Sequence, residues 1–286
     1  MIFDGSLCEW RALVTSNADA IRIACELEAT AAKLGNVHPG ASFNDCRYED
    51  FIAAASKIAP VLASTDTSFH LGKRVLDAVI ATKAVTAANV NLGIILLIAP
   101  LSMCRSIDEV KRLLDSLTND DGRNFFEAIR LASPGGMKQD DVSAKEDVRT
   151  PITGPIDLVA AMKHAAGRDR IALQYATGFE DFFQVVLPIV KQVMLQPIPA
   201  TTAVVNAQLQ LMANVKETLI ARKCGENIAS EAMQRAAICL RDDSDEARVG
   251  FDAWLRAEGN RRNPGTTADL IAASLYWLLR PQTNTF

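Results

Sequence analysis

The chain has 286 residues, 49% hydrophobic and 22% charged, with a formal net charge of −4. That length can bury a sizeable core, and the acidic balance argues against a general nucleic-acid binder, which is usually basic. An aromatic share of 6%, beside abundant alanine and leucine, favours helix over sheet.

The opening residues, MIFDGSLCEW, show no cationic stretch followed by an apolar one, so no leader peptide is expected there. Ile21, Cys25, Leu27 and Ala31 recur at helical spacing and predict a helix over 17 to 32. Phe51, Ala54, Ala55, Ile58 and Leu62 predict another over 48 to 62. Leu71, Val75, Leu76, Val79 and Ile80 predict a third over 67 to 86. Residues 88 to 99 read as a fully buried helix stopped near Pro100. Its apolar run, LGIILLIAPL at 92 to 101, is about half the ~20 residues a membrane span needs, so no membrane partner is expected.

Short amphipathic segments follow at 106 to 117 and 120 to 132, and then a loop rich in glycine, proline and charge from Ser133 to Pro155. Further helices are predicted over 156–166, 168–178 and 179–195, the last with a kink at Pro188. The series closes with 200–222, 226–240, 244–258 and 265–280. No period-2 strand series appears. The expectation is one all-α globular domain spanning 1–286, with a buried central helix.

Cys8, Cys25, Cys46, Cys104, Cys224 and Cys239 are scattered with no CxxC pair, which suggests neither a zinc knuckle nor a disulfide scaffold. Most of them read as small buried hydrophobes in a reducing cytoplasm, the expected location of the protein. His38, His70 and His164 lie too far apart for a local ligand motif.

Four polar clusters break the pattern of a plain helical bundle. The first is KLGNVHPGASFNDC at 33 to 46, in which nothing helps a helix persist. The second is AANVNLGIILL, where Asn89 and Asn91 open the most apolar helix; Asn89 and Gly93 are four apart, hence on one helical face. An asparagine there serves as an N-cap or binds a ligand. The third is LIARKCGEN at 219 to 227, where Arg222 and Lys223 suit a helix C-terminus ended by glycine. The fourth is RRNPGTTADLIAASLYWLL at 261 to 279. Thr266 and Asp269 form a capping-box-like pair, and a helix N-terminus behind two arginines also suits an anion.

In order, these clusters resemble the signature blocks of the triphosphoribosyl-dephospho-CoA synthase family. A KPGNVxPxxxF-like block appears as Lys33 to Pro39, continuing to Phe43 and Asp45. A TNTNxGxxLLLAPL-like block appears as Ala88 to Gly93, running on to Ala99, Pro100 and Leu101. DTxIARKxG and NPGxxADLxAA appear as Glu217 to Gly225 and as Asn263 to Leu270 with Ala272 and Ala273. Leu34 stands where the family has proline, and Ala88 and Val90 where it has threonines.

The resemblance implies a transferase that moves the 5-triphosphoribosyl group of ATP to the 2′-hydroxyl of 3′-dephospho-CoA and releases adenine. The transition state is oxocarbenium-like, which calls for carboxylates, and the triphosphate calls for cations with Mg²⁺. On that basis Glu26, Asp45, His38 and Asp269 are the candidate catalytic residues, and Asp45 and Asp269 the candidate metal ligands. Lys33, Arg222 and Lys223 would neutralise phosphates, approached by the backbone at Gly35 and Gly265. Asn36, Asn89, Asn91, Gly93, Asn263 and Thr266 complete the expected nucleotide site. Glu26 also reads as a solvated helix residue, and His38 as a plain loop residue. Two other readings stay open: the same chemistry on another acceptor of one-carbon cofactor synthesis, and a non-catalytic helical nucleotide-binding protein. Self-association into a homodimer is also left open.

Overall fold

Ser6 starts the first helix: its backbone N–H and hydroxyl both donate to Glu9 Oε2, at 2.7 and 2.8 Å. This capping box opens α1 (Leu7–Ala12), a helix the periodicity reading lacks although Ser-x-x-Glu is its sequence signal. The structure is a computed structural model that describes residues 5–66, 70–132, 155–242 and 244–281. The expected loop from Ser133 to Pro155 lies outside these, apart from its last residue.

The following helices are α2 (Asn17–Thr30), α3 (Tyr48–Leu62), α4 (Leu71–Lys83), α5 (Leu92–Met103), α6 (Ile107–Asp115) and α7 (Asn119–Ala132). Then come α8 (Leu158–Ala165), α9 (Arg170–Ala176), a π-helical turn (Phe182–Val186) and α10 (Leu187–Met194). The chain ends with α11 (Ala200–Asn214), α12 (Thr218–Cys224), α13 (Glu226–Asp242), α14 (Asp245–Arg256) and α15 (Gly265–Leu279). Among the described residues there is no strand, only two isolated bridges inside the segment between α2 and α3. No helix of the described residues is long and apolar enough to cross a membrane.

Every residue from Ile94 to Leu101 is buried, so α5 is the central helix the sequence predicts, packed among α2, α3, α4, α9 and α15. Its bounds differ from the prediction at both ends. It starts at Leu92, so Asn89 lies outside it and shares no helical face with Gly93. It also runs through Pro100 to Met103. Proline has no N–H to give to the carbonyl four residues back, which is that of Leu96. The Tyr175 hydroxyl from α9 donates to that carbonyl at 2.5 Å instead, so the helix continues. Tyr175 is itself held edge-on between Phe125 (5.2 Å) and Phe179 (5.5 Å).

Two more predicted helices are divided. The 200–222 segment breaks at Val215 to Glu217, where Glu217 turns inward and caps α12. The kink expected at Pro188 is met by the π-helical turn just before it, in which Leu187 N–H reaches back to the Phe182 carbonyl. A main hydrophobic core gathers around α5, and a second one sits under α13 and α14. Helix α11 serves both, giving Val204, Ala207 and Leu211 to the first and Leu209 and Met212 to the second.

Helices α4 and α7 touch so closely that a Cβ on Gly72 would lie 2.2 Å from the Asp121 carbonyl oxygen. Gly72 N–H also donates to Asp121 Oδ1 at 2.8 Å, which caps α4. Gly72→Ala should therefore destabilise by about 1–3 kcal/mol, because overpacking against backbone exceeds alanine's helix gain of about 1 kcal/mol. Gly250→Ala, in the exposed interior of α14 with nothing within 4 Å, should instead stabilise by about 0.4–1 kcal/mol. Urea denaturation of the two variants checks the opposite signs.

Candidate active site

The Gln208 side chain of α11, fully buried, clamps the segment after α2. Its Oε1 accepts from Leu34 N–H (2.8 Å), and its Nε2 donates to Leu34 O (2.7 Å) and Asn36 Oδ1 (2.9 Å). From there a chain of amides runs outward. Asn36 Nδ2 donates to Asn263 Oδ1 (2.6 Å), Asn263 Nδ2 to Asn260 Oδ1 (3.0 Å), and Asn260 Nδ2 to Asp45 Oδ2 (2.9 Å). Gly35 makes the tight turn at φ +70°, where a Cβ would meet Leu255 at 2.7 Å. Leu34 packs with Ile220 and Leu255 in the second core, so apolar burial and the Gln208 clamp hold the shape that proline would otherwise impose.

This frame forms one side of a cavity of about 610 Å³. All four polar clusters reach it: Asn36 and Asp45 from the first, Asn89, Asn91 and Gly93 from the second, Arg222 and Lys223 from the third. Asn263, Gly265, Thr266 and Asp269 come from the fourth. The cavity has a polar end at these residues and an apolar end at Phe126, Ile129, Ala161, Met162 and Ala165 of α7 and α8. Its size and mixed lining suit a nucleotide-sized ligand.

Four expected residues do not line it: Glu26, Lys33, Gly35 and His38. Glu26 is tied to Arg22 at 2.8 Å on the flank of α2. Lys33 is fully buried, ion-paired with Glu28 Oε1 at 2.8 Å, and its Nζ also donates to the Glu28 carbonyl near the end of α2. His38 accepts from Gly40 N–H at 3.2 Å, and burial with Arg256 and Lys33 nearby lowers its pKa. Each of these is explained by its local partner.

The two aspartates differ. Asp45 is exposed at the rim, bonded to Asn260. Asp269 sits deep, and the pairing expected of it with Thr266 as a capping box does not form. Helix α15 begins at Gly265, which puts Thr266 and Asp269 inside it rather than at its cap. The cap comes from elsewhere: Glu217 Oε1 accepts from Thr267 N–H (3.1 Å) while its Oε2 accepts from Ile220 N–H (2.7 Å). One buried carboxylate thus joins the starts of α12 and α15. The expected anion site at that terminus is therefore partly taken by Glu217. Arg261 and Arg262 turn away to Glu258.

Asp269 instead lies against the start of α5, where a Cβ on Gly93 would be 2.1 Å from its Oδ2. Burial, with Glu28, Glu217 and Asp169 close by, pushes its pKa well above the usual carboxylate range; an N–H from Ile94 opposes this. Asn91 is buried and its Oδ1 lies 3.1 Å from the Thr82 hydroxyl. Arg222 pairs with Asp169 at 2.9 Å, and Lys223 Nζ donates to the Asn260 carbonyl at 3.1 Å. Burial lowers the Lys223 pKa, and Asp45 acts against that shift.

The cavity also holds charged residues that the sequence reading passed over, namely Glu28, Arg168 and Asp169. Only Asp169 had a local signal, as an N-cap whose carboxylate accepts from Ile171 and Ala172 N–H. All six cysteines are free, and Cys25, Cys46, Cys104 and Cys239 are buried, as their scatter predicts.

The model of the family described as ATP:dephospho-CoA triphosphoribosyl transferase matches residues 15–285. Among curated proteins no match is found. A crystal structure described as a triphosphoribosyl-dephospho-CoA synthase from Archaeoglobus fulgidus superposes with a TM-score of 0.61 at 23% identity. It covers 80% of this chain and 97% of its own, which shows a shared fold. The chain belongs to the ATP:dephospho-CoA triphosphoribosyl transferase family. It is a transferase that moves the triphosphoribosyl group of ATP to dephospho-CoA and releases adenine.

Gly93→Ala tests the contact at the start of α5. The added methyl must displace the Asp269 carboxylate, and misplacement by about 1 Å costs roughly 100-fold in rate. Adenine release from the folded protein should fall by that order, and the melting temperature should also drop, because the methyl overpacks a buried group. Activity within twofold of the parent would show that the Asp269 position does not matter.

Proposed function

We propose that the transfer takes place in this cavity, with the ATP triphosphate near Arg222 and Lys223 and Asp269 as the proton donor to departing adenine. The observation that carries the reading is the convergence of four sequence-distant polar clusters on one cavity. The reaction breaks the bond between C1 of ribose and N9 of adenine, and forms one between C1 and the acceptor's 2′-hydroxyl oxygen. Adenine leaves more easily if a proton reaches it as the bond breaks. A carboxyl whose pKa is raised can supply it, and burial with neighbouring carboxylates raises that of Asp269.

Arg222 is committed to Asp169, which fixes its guanidinium at the wall. Lys223 stands at the same end with a carbonyl and Asp45 for company, and an arriving polyphosphate favours its charged form. The apolar end between α7 and α8 offers burial for the flat or aliphatic parts of the substrates.

Mg²⁺ is assigned to the substrate. Among the described residues no three His, Cys, Asp or Glu side chains stand together as a metal cage. Asp45 is engaged by Asn260 at the rim, and Asp269 is given the proton-donor role in this reading, so neither is assigned as a resident ligand. A Mg²⁺ ion that arrives on the triphosphate needs few protein ligands, because phosphate oxygens and water fill most of its shell. Free cysteines and an ATP substrate fit a cytoplasmic enzyme.

The direct test is incubation with MgATP and dephospho-CoA, with adenine and the triphosphoribosyl product followed by chromatography. One adenine per product is expected; no adenine would overturn the reading. Lys223→Met should raise KM for ATP about 10- to 100-fold, the loss of a charged hydrogen bond worth about 1.5–3 kcal/mol. An unchanged KM would remove Lys223 from the phosphate site.

Asp269→Asn separates function from stability. The folded-state pKa of Asp269 is raised, so folding takes up a proton, and the cost of this grows as pH rises above its unfolded value. Asparagine mimics the protonated carboxyl without that cost. The variant should lose adenine release yet melt higher, by about 2 °C for each kcal/mol relieved. The gain should be larger at pH 8 than at pH 5, as scanning calorimetry at both values would read.

A further inference from the structure

We propose that Glu28 is the general base of the transfer, with the buried ammonium of Lys33 as its fixed counter-ion. This rests on the transfer reading above and names a residue that neither the sequence clusters nor that reading assigns.

Glu28 is 3% exposed, stands on α2 two residues beyond the flanking Glu26, and lines the cavity. The other carboxylates of the region are committed. Asp45 is at the rim with Asn260, and Asp169 holds Arg222 and two backbone N–H groups. Glu217 uses its two oxygens on Ile220 and Thr267 and does not line the cavity. Asp269 carries the proton assigned to adenine. Glu28 alone pairs with a cation that does not line the cavity, Lys33 at 2.8 Å.

A buried ion pair seldom adds net stability, since desolvation offsets the attraction. Lys33 has a structural duty, as a cation donating to the Glu28 carbonyl near the C-terminus of α2. That duty needs Lys33 but not the Glu28 carboxylate. What the pair achieves is a carboxylate fixed on the cavity wall by a cation 2.8 Å away. Around it stand Cys25 from α2, Phe51, Ala55 and Ile58 from α3, Asn91 beside α5, and Ile94 of α5. Lys33 pairs with it and Asp269 of α15 lies close to it, while Asp45, Arg168, Asp169, Arg222 and Lys223 line the same cavity.

The step balances. The acceptor's 2′-hydroxyl gives its proton to the Glu28 carboxylate, and its oxygen bonds to C1 of the ribose. The C1–N9 electron pair leaves with adenine, which takes the Asp269 proton. One carboxyl gains a proton and the other loses one, and exchange with solvent after product release restores both.

The test uses the full-length enzyme with MgATP, dephospho-CoA and azide. Azide is already an anion and needs no base to attack C1. Glu28→Gln should lower kcat for transfer to dephospho-CoA about 100-fold or more. Calorimetry should give an unchanged Kd for ATP, and azide should restore adenine release together with a triphosphoribosyl azide. The double variant Glu28→Gln/Lys33→Met removes both buried charges; it loses the bond from Lys33 to the end of α2 and melts lower, but its folded protein should show the same azide response without an orphaned lysine. Transfer within threefold of the parent would overturn the proposal. So would folded variants that bind ATP but gain nothing from azide, or loss of ATP binding in both. The parent enzyme releasing adenine with dephospho-CoA in the same run tests the underlying transfer separately.

Discussion

The Gln208 amide is the point on which the site depends. An irregular segment in an all-helical protein leaves backbone groups without intrahelical partners, and buried groups of that kind are costly unless something bonds them. Gln208 is fully buried and supplies both a donor and an acceptor to Leu34, as a neighbouring strand would. With that residue fixed, Gly35 can turn and Asn36 can start the amide chain that ends on Asp45. Each amide in the chain donates toward the carboxylate, so the dipoles reinforce one another. The segment from Lys33 to Cys46 is thus joined to the residues before α15 by side chains rather than by sheet or helix.

Two other buried polar groups do comparable work at helix ends. Glu217 caps α12 and α15 together, which brings Lys223 and Asp269 to one cavity although they lie 46 positions apart in sequence. Tyr175 takes the carbonyl that Pro100 leaves without a partner, so α5 stays helical along the floor of the main core. In each case a side chain from a distant element completes a backbone bond that local sequence cannot make.

The resulting site is electrostatically uneven. Of the carboxylates Glu28, Asp169 and Asp269 that line it, two have a cation partner, Lys33 and Arg222. Among the described residues Asp269 has no ion-pair partner, and burial, with neighbouring carboxylates, raises its pKa. Carboxyl groups in one cavity therefore differ in their partners for reasons of placement, an arrangement that an acid and a base sharing one site would need.

Much of this was legible from the chain alone. Helical periodicity located most of the helices and the buried one at its centre, because burial of an apolar stripe is written in residue spacing. The polar clusters stood out because glycine, asparagine and proline are poor helix formers wherever they occur. Their order carried the family, since residues that serve one chemistry recur as local strings. What the sequence could not decide was which polar side chains face one another. Glu26 and Glu28 look alike on a helix, yet only Glu28 faces the cavity, because the rotation of α2 is set by its packing against α3 and α15. Lys33 looked like a phosphate ligand and is a buried counter-ion. Thr266 and Asp269 looked like a cap, but Glu217 holds that place from 50 residues before Thr267. Local composition set the elements and the cast of polar residues; long-range hydrogen bonds, which depend on chain packing, assigned their parts.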